Sequence, residues 1–183
     1  MNKVVAVIAM LCLSVSAGHA QKWMTRTGKV SFFSSTSVEN IEAFNNEAAS
    51  VIDARSGDVA FIVPIKSFKF EKALMQEHFN ENYMESTKYP KAEYKGKIAN
   101  LSDINFGKDG TYNVKTVGKL TMHGVTKEVP ASGTVVVKAG TATVKSKFMV
   151  APADFGIKIP AVSASKIASK IEVTIDSVLK EAK

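Results

Sequence analysis

Past residue 20 the chain alternates apolar and polar residues at period two, and this alternation limits what it can fold into more than any other feature. In Tyr112–Gly124, one face reads Tyr112, Val114, Thr116, Gly118, Leu120, Met122 and the other Asn113, Lys115, Val117, Lys119, Thr121, His123. The split recurs in Val144, Ser146, Phe148, Val150 against Thr143, Lys145, Lys147, Met149, and in Ile171, Val173, Ile175 against Glu172, Thr174, Asp176. Tyr94, Gly96 and Ile98 against Glu93, Lys95 and Lys97 make a fourth case. Successive side chains of a strand point to opposite faces, so each segment is a strand with one wet and one dry side. Several such strands must turn their dry sides to one shared interior, as a sandwich or a closed barrel does.

Turn residues punctuate the pattern. Arg55-Ser56-Gly57-Asp58, Lys108-Asp109-Gly110 and Ala139-Gly140 stand between strand-like runs and read as hairpin turns, where Gly takes positive φ without penalty. Asp53 and Asp58 flank the first of them and read as turn formers rather than a catalytic pair. One stretch breaks the alternation. From Glu71 to Glu85, Leu74, Met75, His78 and Phe79 fall at helical spacing, and Tyr89-Pro90 ends the excursion. The expected architecture is mainly β: a single antiparallel domain with a short helical insert around residues 71–86.

The first 20 residues read as an export signal rather than as part of the fold. Lys3 gives a positive start, Val4 to Val15 form an apolar run, and Ser16-Ala17-Gly18-His19-Ala20 supplies small residues for cleavage after Ala20. The run falls short of the roughly 20 residues that a permanent span needs. The expected domain is residues 21–183, and the expected location is the periplasm. Cys12 is the one cysteine, so it leaves with the signal and takes thiolate chemistry and sulfur-bound metal with it. The formal net charge of +7 falls by one with Lys3, and the other lysines are scattered. The densest group, Lys88, Lys91, Lys95 and Lys97, reads as a solvated strand face, and no alternation of basic and aromatic residues marks a nucleic-acid platform.

Catalytic signatures are missing from the sequence. There is no G-x-S-x-G elbow, no H-E-x-x-H, no Gly-rich phosphate loop, and past residue 20 only His78 and His123 remain. His78 reads as a packing or rim residue and His123 as a loop residue before Gly124. No catalytic set, metal or cofactor is expected. Aromatic residues are denser: Phe61, Phe68, Phe70, Phe79, Tyr83, Tyr89 and Tyr94 gather around the helical insert, as core or as pocket wall.

Three stretches carry a resemblance. They are Met75-Gln76-Glu77-His78-Phe79-Asn80-Glu81-Asn82-Tyr83 with Tyr89-Pro90 and Tyr94-Lys95-Gly96; Gly118-Lys119-Leu120-Thr121-Met122-His123-Gly124-Val125-Thr126-Lys127; and Asp154-Phe155-Gly156. Together they resemble the YceI-like family of exported, lipocalin-like, lipid-binding proteins. The resemblance implies a lipocalin-like antiparallel β-barrel of about eight strands around a long apolar cavity that holds a polyisoprenoid, an isoprenoid quinone or a similar lipid. It carries over no catalytic residues. Where many members have a His-containing strand and a Gly-Phe hairpin, this chain reads Phe32-Phe33-Ser34-Ser35-Thr36 and then Glu39-Asn40-Ile41-Glu42-Ala43-Phe44, which bears on the ligand's identity.

With a barrel, the inward faces become candidate cavity liners: Phe61, Val63, Ile65, Phe79, Tyr94, Ile98, Tyr112, Val114, Leu120, Met122, Phe148, Ile171 and Val173. His78, Lys88 and Lys91, near the insert, are candidates for a head group at the mouth. The expected function is a periplasmic binding or carrier protein rather than an enzyme, with no permanent membrane span. A barrel filled by its own side chains and working through protein partners is the rival, because a packed and an empty interior are written with the same residues. An outer-membrane barrel is disfavoured because the strands read as short and the lysines lie opposite the apolar face.

Overall fold

The computed structural model describes residues 21–182, so the expected signal and Cys12 lie outside the described residues. Ten strands follow in order: β1 Lys22–Ser35, β2 Asn40–Asp53, β3 Asp58–Pro64, β4 Lys69–Phe70, β5 Lys91–Ile98, β6 Gly110–Met122, β7 Val125–Glu128, β8 Ala131–Lys138, β9 Thr141–Val150 and β10 Ile171–Glu181. One helix, α1 (Ala73–His78), lies between β4 and β5 and runs into a π turn over Phe79–Tyr83. The hydrogen-bonded order is β1-β10-β9-β8-β6-β5-β3-β2, and β1 pairs β2 as well, so eight strands close into an antiparallel up-and-down barrel. Two short strands stand outside the ring, β4 on β2 and β7 on β6.

The strands are longer than the sequence pattern predicts. β1 and β2 each have 14 residues, β6 has 13 and β10 has 11, so short strands do not count against a membrane barrel. The direction of the faces still does. Lys115, Lys119, Lys145 and Lys147 are exposed on the outer wall while Val114, Leu120 and Val150 are buried inside, the reverse of a lipid-facing barrel.

Two β1 irregularities shape the barrel. Its pairing with β2 shifts between Thr25 and Val30, and its pairing with β10 shifts between Met24 and Lys29. Gly28 sits at the shift because the walls close in there: a Cβ would lie 2.4 Å from Ser177 Oγ and 3.0 Å from the Ala48 carbonyl oxygen.

The connections differ at the two ends. At one end the links β2–β3 and β8–β9 are tight, and Asp53 forms the first by accepting the Arg55 and Ser56 amides at 2.9 and 3.1 Å. Those backbone donors, Ser56 first, hold the half-buried Asp53 carboxyl below its ordinary range, so this turn loses support as pH falls through that lowered value. Lys108-Asp109-Gly110 is not a tight hairpin: it ends the longer 99–109 connection between β5 and β6, which contains the 3₁₀ turn Leu101–Asp103. Its buried Ile104 and Phe106 plug this end, with Phe106 5.9 Å from the Trp23 ring. Trp23, Ile52, Ile98, Val135, Val137 and Leu179 fill the barrel beside them. The opposite end carries the long connections 65–90 and 151–170.

Ala139-Gly140 is the turn the sequence predicts, with φ of 48° and 74°; His123-Gly124 is a second, at 51° and 76°. Positive φ at both central residues is the type I′ pattern, which favours Asn or Asp before Gly and costs an alanine roughly 1 kcal/mol or more. Ala139→Asn is therefore expected to raise the melting midpoint by about 2–4 °C, the shift that ~1 kcal/mol produces in a domain of this size. An unchanged or lower midpoint in calorimetry would refute the strain argument.

Candidate functional site

The end of the barrel away from the plug is not filled. An apolar cavity of about 520 Å³ opens there, within the usual range of small-molecule sites. Its walls come from the inward residues of the strands, including Val30 and Phe32 of β1, Phe61 and Val63 of β3, Leu120 and Met122 of β6, Phe148 and Val150 of β9, and Ile171, Val173 and Ile175 of β10. The two long connections supply its upper wall: Ile65, Phe68 and Phe79 from one, Ile157, Ile159 and Ile167 from the other.

Phe32 organises one side of the cavity. Its ring centroid lies 5.3 Å from Phe68, 5.7 Å from Phe70 and 5.4 Å from Phe79, and Phe79 in turn lies 5.0 Å from Phe70. Offset and edge-on aromatic pairs of this kind are worth ~0.5–1.5 kcal/mol each beyond their buried area. The α1–π turn segment is pinned to the barrel by this cluster, because its helix has no buried residue and no side-chain cap of its own.

The charged side chains near the opening are few. His78, Ser163 and Lys166 line the opening, as do Lys72 and Glu39, whose charged atoms are 3.7 Å apart. The buried Ser34 hydroxyl accepts the Ala168 amide at 2.9 Å and ties the 151–170 connection to β1. A second tie holds the other side. His123 stands at the β6–β7 turn, with Nε2 2.8 Å from Glu85 Oε2, Nδ1 3.2 Å from the Phe155 carbonyl oxygen, and its ring 4.6 Å from that of Tyr89. Gly124 is required beside it, since a Cβ there would lie 2.7 Å from the Tyr89 ring. One histidine thus joins three segments that border the cavity: residues 85–89, the β6–β7 turn and the 3₁₀ turn Pro152–Phe155.

Of the liners expected from the sequence, Phe61, Val63, Ile65, Phe79, Tyr94, Leu120, Met122, Phe148, Ile171 and Val173 face this cavity, as does His78 at its rim. Ile98, Tyr112 and Val114 do not: they pack in the filled end. Their strands are inward-facing along their whole length, and periodicity carries no information about depth. Lys88 and Lys91 are not among the lining residues either. Lys88 lies 4.9 Å over the Tyr89 ring, and Lys91 is drawn to the outer wall by Glu93 at 3.1 Å. Lys95 and then Lys91, flanking Glu93, hold its carboxyl below the ordinary range. Sequence reasoning missed Val30, Phe32, Ser34 and Ile41, although Phe32–Phe44 stood out as a departure from the usual pattern, and it missed Ile157 to Ile167, an irregular segment with no period to read.

A closed antiparallel barrel of eight strands, plugged at one end and hollow and apolar at the other, defines a lipocalin-like barrel. The chain belongs to the YceI-like family, whose domain model matches residues 13–179. Among solved structures it is similar to a polyisoprenoid-binding domain from Saccharophagus degradans, with a TM-score of 0.77 at 13% identity, covering 89% of this chain and 99% of that one. It is also similar to BcnA of Burkholderia cenocepacia, with a TM-score of 0.69 at 18% identity over 82% of this chain and 95% of that one. A Campylobacter jejuni YCEI protein matches with a TM-score of 0.57 at 15% identity over 100% of this chain and 99% of that one. A search of curated protein sequences finds no match.

The His123 tie makes a prediction about the rim. Glu85→Ala leaves Nε2 unpaired and is expected to speed amide exchange in residues 79–89 several-fold, at a global cost of ~1 kcal/mol or less because Glu85 is half exposed. Exchange unchanged in that segment, followed by mass spectrometry, would show that the pair does not fasten it.

Proposed function

We propose that this protein binds a long hydrophobic molecule, a polyisoprenoid, an isoprenoid quinone or a similar lipid, with the chain inside the barrel and any polar head at the rim. The observation that carries this reading is the unfilled end of the barrel, about 520 Å³ in volume and lined mainly by apolar side chains. A void of that size forfeits packing contacts along its whole lining, a cost that a bound apolar chain offsets. The likeness to a domain described as polyisoprenoid-binding supports the same class of ligand. So does the energetics: at ~0.3 kcal/mol per heavy atom, a prenyl chain of about 40 carbons reaches ~12 kcal/mol, which is nanomolar binding. The same empty space speaks against a barrel filled throughout by its own side chains.

The proposal extends to place and role. The Lys3, Val4–Val15 and Ala20 pattern supports export with cleavage after Ala20 and hence a place in the periplasm, where the apolar cavity supports the role of a carrier or reservoir.

Native mass spectrometry of protein purified from its own host's periplasm, followed by denaturing extraction, tests both. The expected result is a chain beginning at Gln21 with about one lipid bound, and Val173→Trp, which intrudes on the cavity, should lower lipid retention by about 10-fold or more. A bare protein mass that does not shift on adding prenyl lipids or quinones would overturn the binding reading. A mass that includes residues 1–20 would overturn cleavage after Ala20, and recovery of the protein in the cytoplasmic fraction alone would overturn export.

A further inference from the structure

The geometry points to Tyr94 as the residue that sets how long a chain the cavity accepts; the inference rests on the hydrophobic-chain reading above. Below the main cavity lies a second apolar space of about 80 Å³ inside the same barrel, and Phe61, Tyr94, Phe148 and Ile175 line both. These four side chains stand where the two spaces meet. The smaller space exists because small residues meet behind it: Ala131 and Gly133 of β8, Thr116 of β6 and Ser146 of β9, with Gly133 and Ser146 directly paired.

Tyr94 differs from the other three in how it is seated. Gly96 and Gly118 are cross-strand partners, and the Tyr94 ring lies over them. A Cβ would stand 3.0 Å from the ring at Gly96 and 2.6 Å from it at Gly118, so only glycines leave room for it. Its hydroxyl is fixed as well, 2.9 Å from Thr116 Oγ1, which in turn donates to the Ala131 carbonyl oxygen at 3.3 Å. A ring clamped by two glycines and a hydroxyl chain has one position, whereas a leucine or phenylalanine held by packing alone could turn aside. The far end of a chain entering from the rim meets a fixed wall with unused space behind it. Removing the wall joins the two spaces and lengthens the cavity.

The test uses delipidated full mature protein and a graded series of prenyl alcohols from farnesol to long polyprenols, with binding followed by native mass spectrometry and displacement of an apolar fluorophore. Wild type is expected to show an upper chain-length limit. Tyr94→Ala should tighten binding of chains just beyond that limit by about 10-fold or more, the discrimination that excess length produces in a closed apolar pocket. Tyr94→Phe keeps the ring on its glycine seat but frees it from Thr116, and should relax the limit by less than Tyr94→Ala. Val144→Phe, added to Tyr94→Ala, refills the smaller space and should restore it. If circular dichroism shows Tyr94→Ala unfolded, Tyr94→Leu carries the same expectation with a smaller extension. An unchanged limit in the folded Ala or Leu variant, or wild type that binds every length equally, overturns the role of Tyr94 and leaves the ligand class standing. Wild type that binds no prenyl alcohol of any length fails the underlying reading instead.

Discussion

Closure of the sheet through β1 is the constraint on which the rest depends. β1 pairs with β2 on one side and β10 on the other, so no strand in the ring has a free edge and the interior radius is set by strand number and stagger rather than by the side chains inside. Core residues in an open two-layer fold can draw the layers together until they touch. In a barrel the wall stays where its hydrogen bonds put it, and the interior fills only as far as inward side chains reach. Filling then has to be decided position by position.

This chain decides it differently at its two ends. Trp23, Phe106, Ile104 and a layer of Val, Ile and Leu meet across the axis at the plugged end, while the other end relies on rings at the wall and isoleucines from above. The connections follow the same division. Tight turns and one folded-in plug close the filled end, where nothing needs to pass; the long segments 65–90 and 151–170 border the hollow end and are fastened by a few specific contacts, the Phe32 cluster, Ser34 to Ala168, and His123 to Glu85 and Phe155. Segments held by few contacts open locally at low cost, which suits the end through which a ligand would have to enter.

The fold was more legible in the sequence than the site because the two are encoded differently. Alternation in Tyr112–Met122 and Phe148 to Val150 reports which way each side chain points, and the structure keeps every one of those faces. It reports nothing about depth along the axis, so Ile98, Tyr112 and Val114 look identical in sequence to Phe61, Leu120 and Phe148, yet they belong to the packed end. Depth is set by register between strands distant in sequence. The tight turns at Asp53 to Asp58 and at Ala139-Gly140 were legible for a local reason, carboxylate acceptors and positive φ; the 99–109 plug was not, since Lys108-Asp109-Gly110 has turn chemistry without spanning two adjacent strands. The 157–167 segment was invisible for want of any period.

The motifs that carried the family resemblance now have physical content. Tyr94-Lys95-Gly96 and the Gly118 that opens the second motif are one device, a ring seated on a cross-strand glycine pair, and Tyr89-Pro90, His123-Gly124 and Asp154-Phe155-Gly156 are another, the clasp at the rim. Neither acts by packing alone. Each instead holds a side chain in one place where packing alone would allow several, Tyr94 at the floor of the cavity and His123 at its opening. Residues that meet only in the folded barrel are thus tied to two boundaries of a single space, which is why they stand together in one chain though they lie far apart along it.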